Sequence, residues 1–440
     1  MSKKKSRTQK KKFFAHPKNK NKIFKKKESR VGSEAGSRLR KRGTFTVLST
    51  AGCRLVPHCP HGPCLLFGVR EKDKVKSRYF ACAVYRMDAT ACSFKAIADE
   101  HGNLIQEEPG QCKRKEEESY QSELKTIPKS SALVFCHECV DVFEMKHKCP
   151  AEIVTRAQLR HPSRLLEAKD SCKGEAQFFF SDESIEILQG VVERSGVDGV
   201  LCLGAPRLFE ELRGKKGENR HLFLLDYDDR YARFFPATQF AQYSMLVDHF
   251  YDRKALERLC SFFAECAQVL LICDPPFGVF LEPLMQAVDC LRQRHKKARG
   301  EKPSDFRACI AIPMFVGKYV LRNYKDYWMS DYRVTYDNHN VFSKASKSTI
   351  RCFTNLRPDV FDLSNVDGYK FCEFCEKYVS TANKHCFLCS ACTSKDGSPY
   401  KHCELCMRCV KKSYRHCKKC ERCHLEGRCF DHEEIDEAEG

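Results

Sequence analysis

No stretch of about 18 uncharged apolar residues occurs anywhere in the 440-residue sequence, which argues against a membrane-spanning helix. No apolar segment of roughly 7–15 residues follows the basic N-terminus either, so a secretory leader is not expected. A Gly-x-Gly-x-x-Gly loop is also missing, and with it the cradle that a dinucleotide pyrophosphate needs. In the intracellular setting these absences suggest, the 29 cysteines are expected to be metal ligands and thiols rather than a disulfide framework.

Charge is placed unevenly. Residues 1–42 hold eighteen Lys and Arg against Glu28 and Glu34, so sixteen of the nineteen net positive charges lie there. Such a block is too polar and self-repelling to fold alone. It reads as a disordered arm over residues 1–50 that binds polyanions or serves as a nuclear or nucleolar address, a solubilising tail being the plainer reading. From Gln177 onward, apolar runs alternate with helical periodicity. Strands are expected at Gly199–Leu203, His221–Leu225, Gln268–Cys273 and Arg307–Ile312, and helices at Glu183–Arg194, Asp248–Ala264 and Phe280–Lys297. That alternation predicts a parallel sheet with crossover helices, closed by an antiparallel finish over residues 327–363.

Cysteine spacing predicts metal at both ends. From Cys372 the chain reads C-x2-C-x9-HC-x2-C-x2-C, and the HC-x2-C-x2-C unit recurs from His402 and from His416. A zinc ion takes four N or S ligands, commonly one C-x2-C knuckle plus a distant pair. One partition gives Cys372, Cys375, His385 and Cys392, then Cys386, Cys389, His402 and Cys409, then Cys403, Cys406, His416 and Cys423. Cys417, Cys420 and Cys429 remain, with His424 or His432 as fourth ligand. The spacing resembles the cysteine-rich domain of the DHHC protein acyltransferases, but neither the DHHC tetrapeptide nor membrane helices are present. Closed four-ligand sites leave no open position, so this zinc is expected to be structural.

Nearer the N-terminus, Cys59, His61, Cys82 and Cys92 follow the order of a GRF-type zinc finger, which the segment resembles, with Cys64 as a competing ligand. Cys136, Cys139, His147 and Cys149 make a second four-ligand set, for which His137 or His161 could substitute. Between the metal segments, VLCLGAPRL (Val200–Leu208) reads as a buried strand followed by a turn at Gly204, and LFLLDYD (Leu222–Asp228) as a second strand carrying Asp226 at its end. An acid there accepts hydrogen bonds from ribose hydroxyls. Without a pyrophosphate loop, the donor that fits is S-adenosylmethionine. Asp274-Pro275-Pro276-Phe277 follows the apolar run Val269–Cys273 and leaves a carboxylate, carbonyls and a ring at a strand's carboxyl end. A carboxylate and the Pro275 carbonyl can hold an adenine amine while Phe277 stacks on the purine.

DPPF within such a core, with the GRF-type segment before it and the cysteine array after it, resembles the CCHC-type zinc-finger ribosomal-RNA adenine N6-methyltransferases of animals. The resemblance rests on CPHGP, QFFFS, LLDYD, DPPFG, DYRVTYDNH and TSKDG in that order, over residues 53–429. It implies an α/β fold, a class I (Rossmann-like) methyltransferase sheet flanked by small zinc-stabilised domains. The divisions expected are the arm, a GRF-type finger at 51–98, a Cys/His finger at 130–165, the methyltransferase at 170–366, the zinc array at 370–430 and an acidic tail at 431–440. It further implies that Gln177, Phe178, Phe179 and Phe180 cover the cofactor, that Arg207 and Asp226 contact it, and that Ser244, Met245 and Leu246 lie near its adenine. Asp274 would accept the substrate amine. Where the family carries Asn, Gly and His, this chain has Ser244, Val279 and Arg428. The activity implied is N6-methylation of an adenosine in large-subunit ribosomal RNA, with S-adenosylmethionine and about five to six structural zinc ions. The expected partner is ribosomal RNA or the pre-ribosome in the nucleus and nucleolus, with the cytoplasm as a second compartment, and with or without an auxiliary subunit. A non-catalytic RNA-binding or ribosome-assembly protein on the same scaffold, and a protein glutamine methyltransferase, are the competing readings.

Overall fold

A computed structural model describes residues 44–71, 74–85, 92–105, 132–144, 147–169, 176–215 and 219–429. Most of the basic arm, the acidic tail and His432 lie outside these residues. Thr44–Leu48, expected to belong to the arm, is instead a strand paired antiparallel with Gly62–Glu71, which moves the start of the first domain back to Thr44.

The central sheet contains β1 (Gly199–Leu203), β2 (His221–Asp226), β3 (Phe240–Ser244), β4 (His249–Phe250), β5 (Gln268–Cys273), β6 (Asp305–Pro313), β7 (Trp328–Met329) and β8 (Ile350–Thr354), in the order β4-β3-β2-β1-β5-β6-β8-β7. Pairing is parallel from β3 through β2, β1 and β5 to β6, and antiparallel at β4, β8 and β7. Val200 and Cys202 of β1 enter one core cluster and Leu201 and Leu203 the other. Both faces are therefore covered, which is why the strand is apolar throughout rather than alternating. Helices α1 (Asp182–Ser195) and α2 (Pro206–Gly214) pack on the first face, α3 (Ala255–Glu265) and α4 (Leu281–Arg299) on the second, and α5 (Lys318–Asn323) follows β6.

Local chemistry sets the element ends. Ser181 caps α1 by accepting from the Ser184 N–H at 3.2 Å, and Gly196 closes it at φ +68. The helix expected from Asp248 starts only at Ala255. Asp248 sits in the left-handed region at φ +47, and its carboxylate accepts from the Tyr243 hydroxyl at 2.7 Å and from Arg294 at 2.6 Å. That turn folds β4 back onto β3, so the residues read as a first helical turn form an edge strand.

The zinc segments are built into the same body. In the first finger Phe67 meets Phe280 at 5.7 Å, and the Tyr251 hydroxyl donates to the His61 carbonyl at 2.6 Å. In the second, Leu133–Cys136 pairs with Asp141–Glu144 and Glu152–Val154, and Ser163 donates from its N–H and its hydroxyl to the buried Glu210 of α2, at 2.9 and 2.6 Å. The array is four two-stranded hairpins, Tyr369–Ser380, His385–Cys392, Tyr400–Lys411 and Arg415–His424. It is seamed to the catalytic domain by Asp331, whose buried carboxylate accepts from the Ser380 N–H and the Asn383 amide, both at 2.9 Å. Asp331→Ala leaves both donors unsatisfied in a buried seam. It is expected to lower stability by roughly 2–4 kcal/mol and to release the array to limited proteolysis ahead of the catalytic domain; equal stability would contradict the seam.

Candidate active site and metal centres

Three strand ends converge at the carboxyl edge of the sheet. The Gly204 N–H donates to the Leu225 carbonyl at 2.9 Å, and the Asp274 N–H donates to the Leu203 carbonyl at 3.0 Å. Gly204 stands at φ +66, and a Cβ there would lie 2.7 Å from the Asp274 carbonyl oxygen and 3.0 Å from the Met245 methyl. The turn therefore needs glycine for both its conformation and its clearance. Gly204→Ala is expected to push DPPF outward and to weaken cofactor binding at least tenfold, roughly the 1–2 kcal/mol that the left-handed conformation costs a residue with a Cβ; calorimetry giving the wild-type affinity would contradict this.

Asp226 is buried at the end of β2, and one carboxylate oxygen accepts from the Asp228 N–H at 2.8 Å. Burial, then the neighbouring Asp228 carboxylate, pushes its carboxyl up to about 7. Such a group gains from hydroxyl donors that stabilise its charged form, as the ribose of S-adenosylmethionine would provide. Asp228, absent from the sequence expectations, is buried too. Arg230 and Lys169 outweigh its burial and hold its carboxyl below the usual range, with the Lys169 Nζ at 2.9 Å. Met245 reaches Gly204 from the end of β3, whereas Leu246 joins the core; Ser244 is buried at the strand's last position.

Gln177, Phe178, Phe179 and Phe180 form a strap over this edge, laced antiparallel to residues 335–338. The Ser181 N–H donates to the Thr335 carbonyl at 2.9 Å, the Asp337 N–H to the Phe179 carbonyl at 3.0 Å, and the Phe179 N–H to the Asn338 side-chain oxygen at 2.9 Å. Arg207 clamps the strap from α2. Its guanidinium donates to the Phe180 carbonyl at 3.2 Å, pairs with Asp337 and lies 4.9 Å from the Phe179 ring centroid. Gln177 is turned aside, its side-chain oxygen accepting from the Lys169 N–H at 3.3 Å. Arg207 and Gln177 thus make protein contacts around the strap, while Gly204, Asp226 and Met245 lie at the strand ends.

At the end of β5 the carboxylate of Asp274 is partly buried, and its Oδ1 accepts from the Tyr336 hydroxyl at 2.7 Å. Burial raises its pKa strongly, the Tyr336 hydrogen bond opposes that, and the Asp226 charge adds to it. Tyr336 belongs to the strap: it bridges Phe180 and is itself fully buried. Phe277 lies in an aromatic group, stacked on Phe178 at 5.1 Å and 10° and edge-on to Tyr336 and Phe342, each at 5.3 Å. Pro275 and Pro276 carry the chain between Asp274 and this ring, and the Val279 N–H closes the turn on the Pro276 carbonyl at 2.9 Å.

Tyr336 was legible only as part of DYRVTYDNH, a string with no role attached to its tyrosine. Its effect has a definite sign. The Tyr336 hydroxyl favours the carboxylate form of Asp274, the form that could accept from a substrate amine. Without that donor Asp274 protonates at higher pH, so the acid limb of the rate profile of Tyr336→Phe is expected to move upward. Superimposable pH profiles for the variant and the wild type would contradict this pairing.

The predicted metal ligands assemble as partitioned. Five groups of four, each with ligand atoms within 4.8 Å of one another, are Cys59, His61, Cys82 and Cys92; Cys136, Cys139, His147 and Cys149; Cys372, Cys375, His385 and Cys392; Cys386, Cys389, His402 and Cys409; and Cys403, Cys406, His416 and Cys423. A tetrahedral zinc requires sulfurs about 3.8 Å apart and sulfur–nitrogen separations of about 3.6 Å. Here Cys389 and Cys409 are 3.8 Å apart, Cys406 and Cys423 3.6 Å, and His402 Nδ1 lies 3.6 and 3.3 Å from Cys386 and Cys389. The donor set fits zinc. Cys64 is buried beside Cys59, outside the first group.

Each C-x2-C knuckle is followed by a residue in the left-handed region: Val140, Glu376, Ser390, Met407 and Glu421, at φ 52, 49, 48, 48 and 50. The shared turn makes Cys417-x2-Cys420 a knuckle like the rest. Cys429 lies 3.8 Å from Cys417, and His424 interacts with both Cys417 and Cys420. His424 Nδ1 is 2.6 Å from the Leu425 carbonyl, which leaves the buried Nε2 as the ring nitrogen available to ligate a metal. Cys417, Cys420, His424 and Cys429 are thus the last set.

A family model described as Probable N6-adenine methyltransferase matches residues 172–358, the span holding the strap, Gly204, Asp226, Asp274 and Tyr336. The rRNA N(6)-adenosine-methyltransferase ZCCHC4 of Homo sapiens is 32% identical over 370 residues, covering 78% of this chain and 72% of the relative. Its counterpart in Xenopus tropicalis is 33% identical over 375 residues (78% and 76%), and that in Mus musculus 33% over 359 (75% and 70%). With its catalytic edge and its metal sets in place, the chain belongs to the family of the rRNA N(6)-adenosine-methyltransferases.

Proposed function

We infer that the protein methylates the exocyclic N6 of an adenosine in ribosomal RNA, using S-adenosylmethionine. The observation that carries this is Asp274, held at the sheet edge beside Gly204 and Asp226 with one oxygen fixed by Tyr336. The other carboxylate oxygen and the Pro275 carbonyl are left as acceptors for the two amine hydrogens. Their pull turns the nitrogen lone pair out of conjugation and aims it at the donor. S-adenosylmethionine supplies an electrophilic methyl on its sulfonium sulfur and departs as a thioether. N6 gains the carbon and loses one proton, which the Asp274 carboxylate is placed to receive and pass to water.

Large-subunit RNA as the substrate and the nucleolus as the compartment are part of the same proposal, supported by the resemblance in ordered motifs and the basic block of residues 1–42. The GRF-type identity of the first finger belongs here as well, resting on the Cys59, His61, Cys82 and Cys92 order. The reading is tested by incubating purified protein with isotopically labelled S-adenosylmethionine and ribosomal RNA, then digesting to nucleosides. Label in N6-methyladenosine supports it. Label in protein, or in another nucleoside, overturns it.

A further inference from the structure

Asp226 does not stand alone at the end of β2. The Asp228 N–H donates to its Oδ1 at 2.8 Å, and among the described residues the Asp226 carboxylate has no other hydrogen-bond partner. Asp228 is itself only 2% exposed. A second buried carboxylate beside the first disfavours the charged form of both unless cations offset it. Two cations do so. Arg230 Nε donates to both Asp228 oxygens, at 2.8 and 3.1 Å, and its Nη2 to Oδ2 at 2.6 Å. Lys169 Nζ lies 2.9 Å from Oδ1 and 3.6 Å from the more exposed Asp229. The Arg230 N–H also reaches Asp228 Oδ1, at 3.2 Å, so Asp228 caps the short 3-10 turn Asp229–Arg233.

Each cation is tied in turn to the chain that leaves the second zinc finger. Arg230 Nη2 also donates to the Glu167 carbonyl, at 3.0 Å. The Lys169 N–H donates to the Gln177 side-chain oxygen at 3.3 Å, and the Lys169 carbonyl accepts from the Gln177 N–H at 2.8 Å. Residues 167–169 thus join the acid pair to the first residue of the strap. The same short turn reaches the finger itself, because Arg233 pairs with Asp141 and the neighbouring Phe234 ring lies 6.2 Å from that of Phe135. From the β3 side, Gln242 Nε2 donates to the Tyr227 carbonyl at 3.1 Å. The backbone between the two acids is therefore fastened to the sheet independently of their side chains.

We propose that Asp228 is a positioning residue for S-adenosylmethionine: with Arg230 and Lys169 it fixes Asp226 for the ribose and fastens that acid to the chain joining the second zinc finger to the strap. The proposal rests on the methyltransferase reading given above and deepens it, extending cofactor binding to side chains that act through Asp226. Removing the Asp228 charge frees both cations and leaves the loop held through its backbone alone. Removing Lys169 cuts the link between the acid pair and the strap. Both changes should fall on cofactor affinity and spare the chemical step, since Asp274 follows a different strand, β5, and is held by Tyr336.

The test measures S-adenosylmethionine binding by calorimetry, without RNA, to the full-length wild type and to Asp228→Asn, Lys169→Met and Lys169→Arg. Hydrogen bonds to charged groups are among the stronger ones, so Asp228→Asn is expected to weaken binding about tenfold or more, and Lys169→Met, at the more exposed end of the cluster, about threefold or more. Lys169→Arg keeps the cation and should stay near the wild-type affinity. In steady-state methylation, Asp228→Asn should raise the KM for S-adenosylmethionine while kcat stays within about threefold of wild type, the pattern of binding lost equally from ground and transition states. A general defect of folding would lower kcat and zinc content instead. If Asp228→Asn does not fold, the contrast between Lys169→Met and Lys169→Arg decides alone. Wild-type affinity in Asp228→Asn or in Lys169→Met overturns the proposal, as does a loss in Lys169→Arg equal to that in Lys169→Met. The wild type reports separately on the catalytic reading. Binding by the wild type with unchanged variants removes the positioning role alone; ordered losses across the variants, with methyl label found outside N6-methyladenosine, remove the adenosine reading and leave the positioning role.

Discussion

Asp274→Ala is expected to lower methyl transfer by about three orders of magnitude or more, the scale seen when an aligned polar group is removed from a reacting centre. One oxygen of the carboxylate, which follows the end of β5, is held by Tyr336 at 2.7 Å, and the proposed mechanism uses the other as the acceptor for the amine. With alanine there, the amine loses its strongest acceptor, the proton it releases has no nearby base, and the Tyr336 hydroxyl is left buried without a partner. Asp274→Asn keeps an acceptor and should retain more activity than alanine, though it cannot take the proton. RNA affinity and zinc content depend on residues elsewhere and should stay near wild type in both variants. Single-turnover rates measure the effect. An alanine variant within tenfold of wild type would remove Asp274 from the mechanism.

Withdrawing zinc is expected to abolish activity even though no zinc ligand touches the catalytic edge. Structural zinc in small modules contributes about 10–16 kcal/mol of apparent binding free energy, most of it folding free energy. The array has little else to hold it. Its hairpins expose Phe374, Phe387, Leu388, Leu405 and Met407, and only a few of its residues, such as Val379 and Val410, are buried. The seam at Asp331 draws on Ser380 and Asn383, which lie between Cys375 and His385 of the array's first metal set, and Ser394 is bound to Asn383 at 3.0 Å just after Cys392 of the same set. Loss of those sets therefore propagates to residues 331–336 and so to Tyr336. A chelator titration, following zinc by mass spectrometry and activity in parallel, should show activity falling with release of array zinc. Full activity in a zinc-free protein would contradict the coupling.

What the sequence made legible was periodic or local. The strand ends at Gly204, Asp226 and Asp274 could be read because a fully buried strand is an unbroken apolar run and its stop residue is conspicuous. The zinc ladder could be read because C-x2-C spacing recurs and the ligands interleave in one consistent way. The resemblance added the strap to that reading. Tyr336 and Asp331 were hidden for a different reason: their partners lie 62, 49 and 52 residues away, and no spacing rule connects them. β3 escaped notice because FAQYS neither alternates nor runs apolar, although all but Gln242 of it is buried. Asp248 broke the helical pattern through its left-handed turn and its hold on Arg294, a partner 46 residues on. Arg207 was expected on the cofactor, yet a strap carbonyl and Asp337, 130 residues away, engage it.

The central claim is that this protein places a methyl group on N6 of an adenosine in ribosomal RNA. Its most direct test is quantitative mass spectrometry of N6-methyladenosine in purified ribosomal RNA from cells lacking the protein, and from the same cells resupplied with the wild type or with Asp274→Ala. N6-methyladenosine is expected to fall in the deficient cells, to return with the wild type and not to return with Asp274→Ala. Unchanged levels in the deficient cells, or restoration by the Asp274→Ala variant, would contradict it.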